Sequence, residues 1–295
     1  MEYLLHIVVV IEIFAILAIS LDLVAGQAGL LSLSHAAFFG IGAYASALLA
    51  LHGTAGYLTE MVVAMATAIA ASLLVSSSSI RLHGEYFLIA TFGFQLIVFS
   101  VLNNWTAVTG GPSGLPGIPG ASIFGWQLRS ALDFAAVGAL QLAIVYLVVR
   151  LMVRSPFGRV LRAIRGDEAF AQSLGKNTVG VKVAAFSASA ALAASAGTLY
   201  AFFSSYIDPT SFTILDSVLI LSMVLIGGSG TLHGPLIGAV VLVTLPELLR
   251  QVGISGELAG NLRQLIYGAA LPIVIAFRPK GLVGRSGLDG RFGAK

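Results

Sequence analysis

The chain has 295 residues, of which 57% are hydrophobic and only 10% are charged. A soluble domain has about 25% charged residues, so this composition excludes an ordinary soluble enzyme and indicates an integral membrane protein. The formal net charge of +3 comes from a few loops and does not form a nucleic-acid-binding face. The chain contains no cysteine, which excludes disulfide bonds and thiolate metal sites.

Long apolar runs predict the membrane spans, because a helix needs about 20 mostly apolar residues to cross a bilayer. The first run lacks the basic residues and the small-residue cleavage site of a signal peptide, so we expect it to be retained. Nine spans are predicted, over residues 3–24, 36–52, 59–80, 85–104, 130–152, 181–206, 215–228, 234–250 and 261–277. Segment 36–52 is rich in Gly and Ala and segment 215–228 is short, so either could be a half-helix or re-entrant.

These spans predict the fold class and its orientation. We expect an all-α, polytopic integral membrane helix bundle of about eight to ten spans, with short or re-entrant segments, forming one domain over residues 1–295. Cytoplasmic loops carry an excess of Lys and Arg, and residues 150–182 hold seven of the sixteen basic residues. This loop and the basic tail, residues 278–295, are therefore placed in the cytoplasm, and nine spans then put the N-terminus outside.

The cytoplasmic loop, residues 154–176, carries the signals of a well-formed helix. Ser155 followed by Pro156 suits an N-cap and the first helical position. Gly175 suits the left-handed residue that ends a helix. Between them, apolar residues recur at three- and four-residue spacing while arginines follow another face. The pattern predicts one amphipathic helix of about five turns over residues 156–174.

Two interpretations of this helix remain open. It could lie on the anionic lipid surface, or it could be a coupling helix that docks in a cleft of a cytoplasmic motor protein. Asp167 and Glu168 favour docking, since acidic residues gain nothing at an anionic surface. The candidate coupling residues are Arg159, Arg162, Arg165, Asp167, Glu168 and Gly175. The sequence has no G-x-x-x-x-G-K-[ST] phosphate loop, so if ATP drives transport another subunit hydrolyses it.

A dense polar cluster lies between the first two predicted spans. Polar groups at membrane depth are functional candidates, because leaving them unpaired costs several kcal/mol. The segment could be a broken helix of the kind at which transporters bind substrate, or a tight and satisfied turn between spans. Its members are candidates for the translocation path: Gly26, Gln27, Gly29, Ser32, Ser34 and His35.

Segment 105–129 is rich in proline and glycine and is predicted to be a non-helical excursion on the outer face. Irregular backbone is tolerated at membrane depth only where protein buries it or where it lines a watery cavity. The excursion is therefore either part of the path, with Gly110 and Gly111 as candidate residues, or an ordinary external loop.

Five stretches, in order along nearly the whole chain, resemble the branched-chain amino acid ABC transporter permeases, and most closely the LivM-type subunit. The chain departs from the pattern at Gly166, where the family usually has Glu, and at Ser34, where it usually has Gly. The stretches that carry the resemblance are Gly26–Tyr44, Thr109–Leu115, Arg154–Arg165 with Asp167-Glu168 and Leu174-Gly175 after it, Gly227–Pro235 and Phe277–Leu282.

The resemblance implies a division of labour among subunits. Two homologous permeases would form the translocation path, two cytoplasmic ATPase subunits would dock beneath them, and an extracytoplasmic substrate-binding protein would deliver the cargo. Membrane lipids would surround the chain, and no cofactor or nucleic acid is expected. The expected location is the bacterial-type cytoplasmic (inner) membrane, and the expected cargo is a branched-chain or similar apolar amino acid.

Two alternatives remain open. The same fold could carry urea or short amides, or the chain could be an ATP-independent channel or ion-coupled carrier that uses Glu12 and Asp22. The predicted coupling helix argues against a self-sufficient carrier, and dependence of uptake on a separate ATPase would discriminate between these classes. The histidines are scattered without metal-ligand spacing, and no catalytic constellation is present, so the chain is expected to be a non-enzymatic transport subunit.

Overall fold

The computed structural model describes residues 2–53, 56–80, 82, 84–123, 125–251 and 282. The predicted ninth span lies outside the described residues, and so does the basic tail apart from residue 282. The helices in the described part are α1 (Glu2–Ala28), α2 (His35–Leu51), α3 (Tyr57–Ser79), α4 (Glu85–Asn104), α5 (Thr106–Thr109), α6 (Ala131–Arg154), α7 (Pro156–Gly166), α8 (Glu168–Ser173), α9 (Thr178–Ser204), α10 (Ile214–Gly227) and α11 (Gly234–Gln251). Two 3₁₀ turns, Gly111–Ser113 and Pro209–Phe212, and four strands, β1 (Leu115–Pro116), β2 (Ser122–Ile123), β3 (Trp126–Gln127) and β4 (Tyr206–Ile207), complete the described elements.

The fold class is confirmed as a polytopic bundle of membrane helices. Six helical stretches in the described ranges are long and apolar enough to cross a membrane, namely α1, α3, α4, α6, α9 and the stretch Pro209–Gly227 that ends with α10. Helix α2 and residues Gly234–Glu247 of α11 are apolar but shorter. Each of the first eight predicted spans thus corresponds to a helix, and α2 and α10 are short, as their sequences suggest.

Helices α1 and α9 are two of the most buried helices in the described part of the bundle. In the most apolar windows of α1 and α9, 72% and 67% of the residues are buried, against 28% in α3, α4 and α6. Small residues let α9 approach α2 closely, because a Cβ atom on Gly42 would lie 2.3 Å from the Ala194 carbonyl oxygen. A Cβ on Gly197 would lie equally close to the Phe39 carbonyl oxygen. Such small-residue contacts are typical of helix packing in membranes, and here they place α9 at the centre.

A buried glutamine joins three of the helices. The Tyr57 hydroxyl of α3 donates to Gln141 Oε1 of α6 at 2.6 Å, and Gln141 Nε2 donates to the Ser195 carbonyl of α9 at 2.8 Å. Hydrogen bonds of this kind are worth about 0.6 kcal/mol on average between membrane helices. Their main effect is therefore to determine which faces of α3 and α6 point into the bundle, and their contribution to stability is small.

The outer excursion, residues 105–129, is predicted to be non-helical, but it contains the helical turn α5 and the 3₁₀ turn Gly111–Ser113. Its strand β1 pairs antiparallel with β4, which follows α9, so that Leu115 lies opposite Ile207. Strands β2 and β3 form a short hairpin. Proline and glycine disfavour longer helices in this segment. The strand pairing supplies hydrogen bonds to part of its backbone.

The prediction of one helix over residues 156–174 is wrong. The structure has two helices, α7 and α8, which are separated at Asp167, where the backbone is extended with φ −158° and ψ 107°. The Asp167 side chain caps α8 by accepting a hydrogen bond from the Phe170 backbone nitrogen at 2.9 Å. An aspartate after a glycine is better suited to a cap than to a helix interior. The predicted end of the helix is confirmed, because Gly175 has φ +73° just after α8.

Candidate functional site

Helix α7 is fastened to the end of α1 by two arginines. Arg165 Nη1 donates a hydrogen bond to the carbonyl oxygen of Gly26 in the last turns of α1. Arg162 Nη1 donates to the Val153 carbonyl oxygen of α6 at 3.0 Å and lies 3.4 Å from Gln27 Oε1. The carbonyls at a helix C-terminus carry partial negative charge, which suits a guanidinium. Two residues predicted to face a motor protein therefore also contact other helices of this chain.

The same end of α1 holds the turn between α10 and α11. The Gly230 backbone nitrogen donates to Asp22 Oδ1 at 2.7 Å, and Gln27 Nε2 donates to the Gly230 carbonyl at 3.1 Å. Asp22 is 2% exposed, so its hydrogen bond replaces water that burial removes. We call the set Asp22, Gly26, Gln27, Arg162, Arg165 and Gly230 the cytoplasmic junction, after the side of the membrane that the basic residues predict for it.

Two glycines make this junction possible. A Cβ on Gly26 would lie 1.9 Å from Asp22 Oδ1 and 2.4 Å from the Gly230 nitrogen. Gly230 itself has φ +80°, and a Cβ there would lie 2.7 Å from Arg165 Nη1. A side chain at either position would push the three segments apart. Glycine residues from two separate sequence motifs thus meet at one contact, where α1, α7 and the α10–α11 turn approach each other.

The remaining candidate coupling residues divide into exposed and internally paired groups. Arg159, Asp167 and Gly175 are exposed. Glu168 forms an ion pair of 2.7 Å with Lys182 of α9, whose side chain is 1% exposed. Asp167 and Glu168 therefore cap and anchor α8, and their presence no longer discriminates between docking and a lipid-surface position. The role of all these residues in coupling stays a prediction.

The polar cluster between the first two spans is divided by the structure. Gly26 and Gln27 belong to α1 and join the cytoplasmic junction, and Gly29, with φ +74°, lies against the side chain of Arg165. Ser32 and Ser34 lie in the non-helical segment 29–34, where their hydroxyl oxygens are 2.8 Å apart.

His35 begins α2 deep inside the bundle. Its Nε2 lies 2.8 Å from the hydroxyl of Ser189, near the middle of α9, and that hydroxyl donates to the Ser20 carbonyl of α1. The Ser189 hydroxyl then accepts from His35 Nε2, which assigns the ring proton to that nitrogen. His35 is fully buried, and its Nδ1 has no hydrogen-bond partner among the described residues.

The first turn of α2 lies at the level of the middle of α4. The Ala36 nitrogen donates to the Ser217 hydroxyl of α10 at 3.0 Å, and that hydroxyl donates to Gln95 Oε1 at 3.2 Å. Gln95, halfway along α4, also donates to the Phe212 carbonyl at 2.9 Å. Segment 29–34 therefore runs from the end of α1 to the middle of the bundle before α2 begins. The connection between the first two spans is thus a broken helix rather than a tight turn.

Four residues of this central network were missed by sequence reasoning: Ser20, Gln95, Ser189 and Ser217. A signal was present for Gln95, because an amide in the middle of an apolar span is costly unless it faces protein. The serines give a weaker signal, since a serine in a membrane helix also bonds its own backbone.

Gly110 and Gly111 lie in the outer excursion, in a segment separate from the junction. They have φ +72° and +59°, and a Cβ on Gly110 would lie 2.0 Å from the Gly114 carbonyl oxygen. The backbone conformation explains why both positions are glycine. Their place in the translocation path stays a prediction.

The structure is a bundle of apolar helices with a broken segment at its centre. The amphipathic helix α7 is attached to the end of the buried helix α1. This combination is typical of a membrane transport permease. The family model for permease components of branched-chain amino acid transport systems matches residues 3–275. The chain belongs to this family.

The relatives agree with this assignment. The chain is 34% identical over 294 residues to the high-affinity branched-chain amino acid transport system permease protein LivM of Escherichia coli (strain K12), covering 92% of this chain and 68% of the relative. It is equally similar to LivM of Salmonella typhimurium. It is 29% identical over 170 residues to the autoinducer 2 import system permease protein LsrC of Salmonella typhi, covering 55% of this chain and 47% of that protein. The comparison with solved structures gave no match.

Family membership confirms a transport role in the membrane. The chain is a multi-pass protein of the cytoplasmic membrane and a permease component rather than an enzyme. The hypotheses of a self-sufficient channel or ion-coupled carrier and of a urea or short-amide permease are not favoured by these relatives.

Proposed function

We propose that this chain is the permease subunit of an ATP-binding-cassette importer for branched-chain or similar apolar amino acids. A second homologous permease completes the translocation path, two cytoplasmic ATPase subunits drive it, and an extracytoplasmic substrate-binding protein delivers the cargo. Similarity to two LivM proteins across 92% of the chain supports this cargo class.

The observation that carries the proposal is the attachment of α7 to the core of the bundle. Helix α7 packs against α1, α6 and α9, and Arg165 bonds the end of α1 beside the α10–α11 turn. A force applied to α7 from the cytoplasm is therefore passed to α1 and, through Asp22 and Gln27, to the turn. Such a contact gives a motor subunit direct mechanical access to the interior helices.

The outward surface of α7 and α8 fits a protein partner. Phe170 and Leu174 are each 63% exposed, and Arg159 is exposed on the neighbouring helix. Large apolar side chains together with arginine are enriched in protein interfaces, and two exposed apolar residues on a cytoplasmic segment indicate a surface that a partner covers. The ATPase subunits are the partner that we assign to it.

Reversal of two charges tests the proposal. In the purified complex, Arg162→Glu with Arg165→Glu places negative charge against the α1 carbonyls, so we expect ATP hydrolysis to continue while amino acid uptake is lost. The control is Arg129→Glu, which changes a charge beside the start of α6 and away from α7. Normal uptake by the double variant, in a complex that still assembles, would contradict the coupling role of α7.

A further inference from the structure

A cavity of about 170 Å³ opens between α1, α2, α9, α10 and the 3₁₀ turn Pro209–Phe212. Its wall is apolar on one side and polar on the other. The apolar side is formed by Val10, Ile13, Phe14 and Phe39, and the polar side by Tyr200, Ser211 and Asp216. The cavity is much smaller than the ligand pockets of about 300–1,000 Å³ that hold drug-sized molecules, so it suits one small amphipathic solute.

The polar side carries negative charge and hydroxyl groups. Asp216 Oδ2 accepts hydrogen bonds from the Thr213 nitrogen at 2.9 Å and the Thr213 hydroxyl at 2.7 Å. The Tyr200 hydroxyl donates to the Ser211 hydroxyl at 3.1 Å, and Ser211 in turn donates to Asp208 Oδ1. Two carboxylates and three hydroxyls thus lie near the start of α10, where a positively charged group would be attracted.

The cavity lies beside the second turn of α2, the helix that follows the broken segment. Phe39 lies in the second turn of α2, shortly after the deep start of that helix, and its ring centre is 5.0 Å from that of Phe212 and 5.3 Å from that of Tyr200. Val10 and Phe14 lie in the first half of α1, which the basic loops place toward the outside. A solute that enters from the outside would meet this cavity before it reaches the cytoplasmic junction.

We propose that this cavity is a binding site for the transported amino acid, with its ammonium group toward Asp216 and its branched side chain between Ile13, Phe14 and Phe39. The proposal rests on the proposed function for the class of cargo. An apolar amino acid has an ammonium and a carboxylate at one end and an apolar side chain at the other, and the Tyr200 and Ser211 hydroxyls are the lining groups that can donate to its carboxylate. Asp216 is then the residue that selects for the ammonium group, and the α1 wall is the part that selects for side-chain size.

The chain offers a matched control for the charge of Asp216. Asp216 closes a capping box with Thr213 at the start of α10, and Asp133 closes the same kind of capping box with Ser130 at the start of α6. Asp133 does not line the cavity. In the full complex in liposomes, we expect Asp216→Asn to lower leucine uptake about tenfold or more, since a bond to a charged group is lost, and Asp133→Asn to leave uptake unchanged.

A second variant separates recognition from folding. Val10→Phe narrows the apolar side, so leucine uptake should fall more than valine uptake, changing their ratio about threefold or more. A folding defect lowers both uptakes equally and leaves the ratio unchanged. If the unmodified complex takes up neither amino acid, the proposed function fails. If it takes up both, and neither Asp216→Asn nor Val10→Phe differs from Asp133→Asn, the cavity assignment is overturned while the proposed function stands.

Discussion

At the scale of residues, the cytoplasmic junction unites two groups that are separate in the sequence. Sequence reasoning identified Gly26 and Gln27 as polar candidates at membrane depth and Arg162 and Arg165 as coupling candidates. It could not predict that they touch, because Arg165 and Gly26 are 139 positions apart and neither carries a local signal for the other. The junction is defined by tertiary packing, whereas the residue types that form it are visible in the sequence.

Replacement of Gly26 by alanine tests this contact. The new Cβ would overlap Asp22 Oδ1 and the Gly230 nitrogen, so we expect the α10–α11 turn to move away and uptake per ATP hydrolysed to fall. Overpacking of this kind costs about 1–3 kcal/mol of stability, which a thermal unfolding measurement on the purified complex would detect.

Gly93→Ala is the control for this change. It is also a glycine inside a membrane helix, but a Cβ there meets no atom within 4 Å. Uptake and unfolding temperature should therefore be unchanged in Gly93→Ala. If Gly26→Ala also left uptake and unfolding temperature unchanged, the close approach at the junction would not be required for transport or stability.

At the scale of elements, the cytoplasmic segment shows both the strength and the limit of periodicity. The spacing of apolar residues and the terminal signals at Pro156 and Gly175 predict helix correctly at both ends. The interruption was missed, because Ile164 and Ala171, seven residues apart, keep the helical spacing of apolar residues across Asp167. The break between α7 and α8 is fixed by the hydrogen bond that the Phe170 nitrogen donates to Asp167 and by the ion pair between Glu168 and Lys182.

Removal of this cap should loosen α8. Asp167→Ala leaves the first backbone nitrogens of α8 without their side-chain acceptor, at a cost of about 1 kcal/mol. We expect faster amide hydrogen exchange over Glu168–Ser173 and a weaker stimulation of ATP hydrolysis by cargo. Asp167→Asn keeps an acceptor and should exchange as the unmodified chain does. Equal exchange in Asp167→Ala and Asp167→Asn would show that the cap does not hold α8.

The conformation of the segment between α1 and α2 could not be predicted from the sequence. A tight turn and a broken helix both require glycine and small polar residues, so the cluster at 26–35 fitted either. The contacts of His35 with Ser189 and of Ala36 with Ser217 decide for the broken arrangement. These contacts join residues that are far apart in the sequence, so local sequence patterns cannot predict them.

At the scale of the whole molecule, hydropathy predicted most of the architecture. The need to satisfy every backbone group in lipid leaves helices as the main solution for a chain of this kind, so the order of the first eight predicted spans follows from the apolar runs. Which helices are interior does not follow, because α3, α4 and α6 are as apolar as the central α9. The small residues of α9, which allow close approach to α2, are the sequence feature that distinguishes it.

We infer that this chain moves an apolar amino acid only when a motor subunit hydrolyses ATP. The most direct measurement is leucine uptake into liposomes that contain the purified complex, with ATP or a non-hydrolysable analogue supplied on the cytoplasmic side. We predict uptake with ATP and the binding protein, and no uptake with the analogue or with this chain alone. Leucine uptake by this chain alone, without ATP, would contradict the account and indicate a channel or carrier.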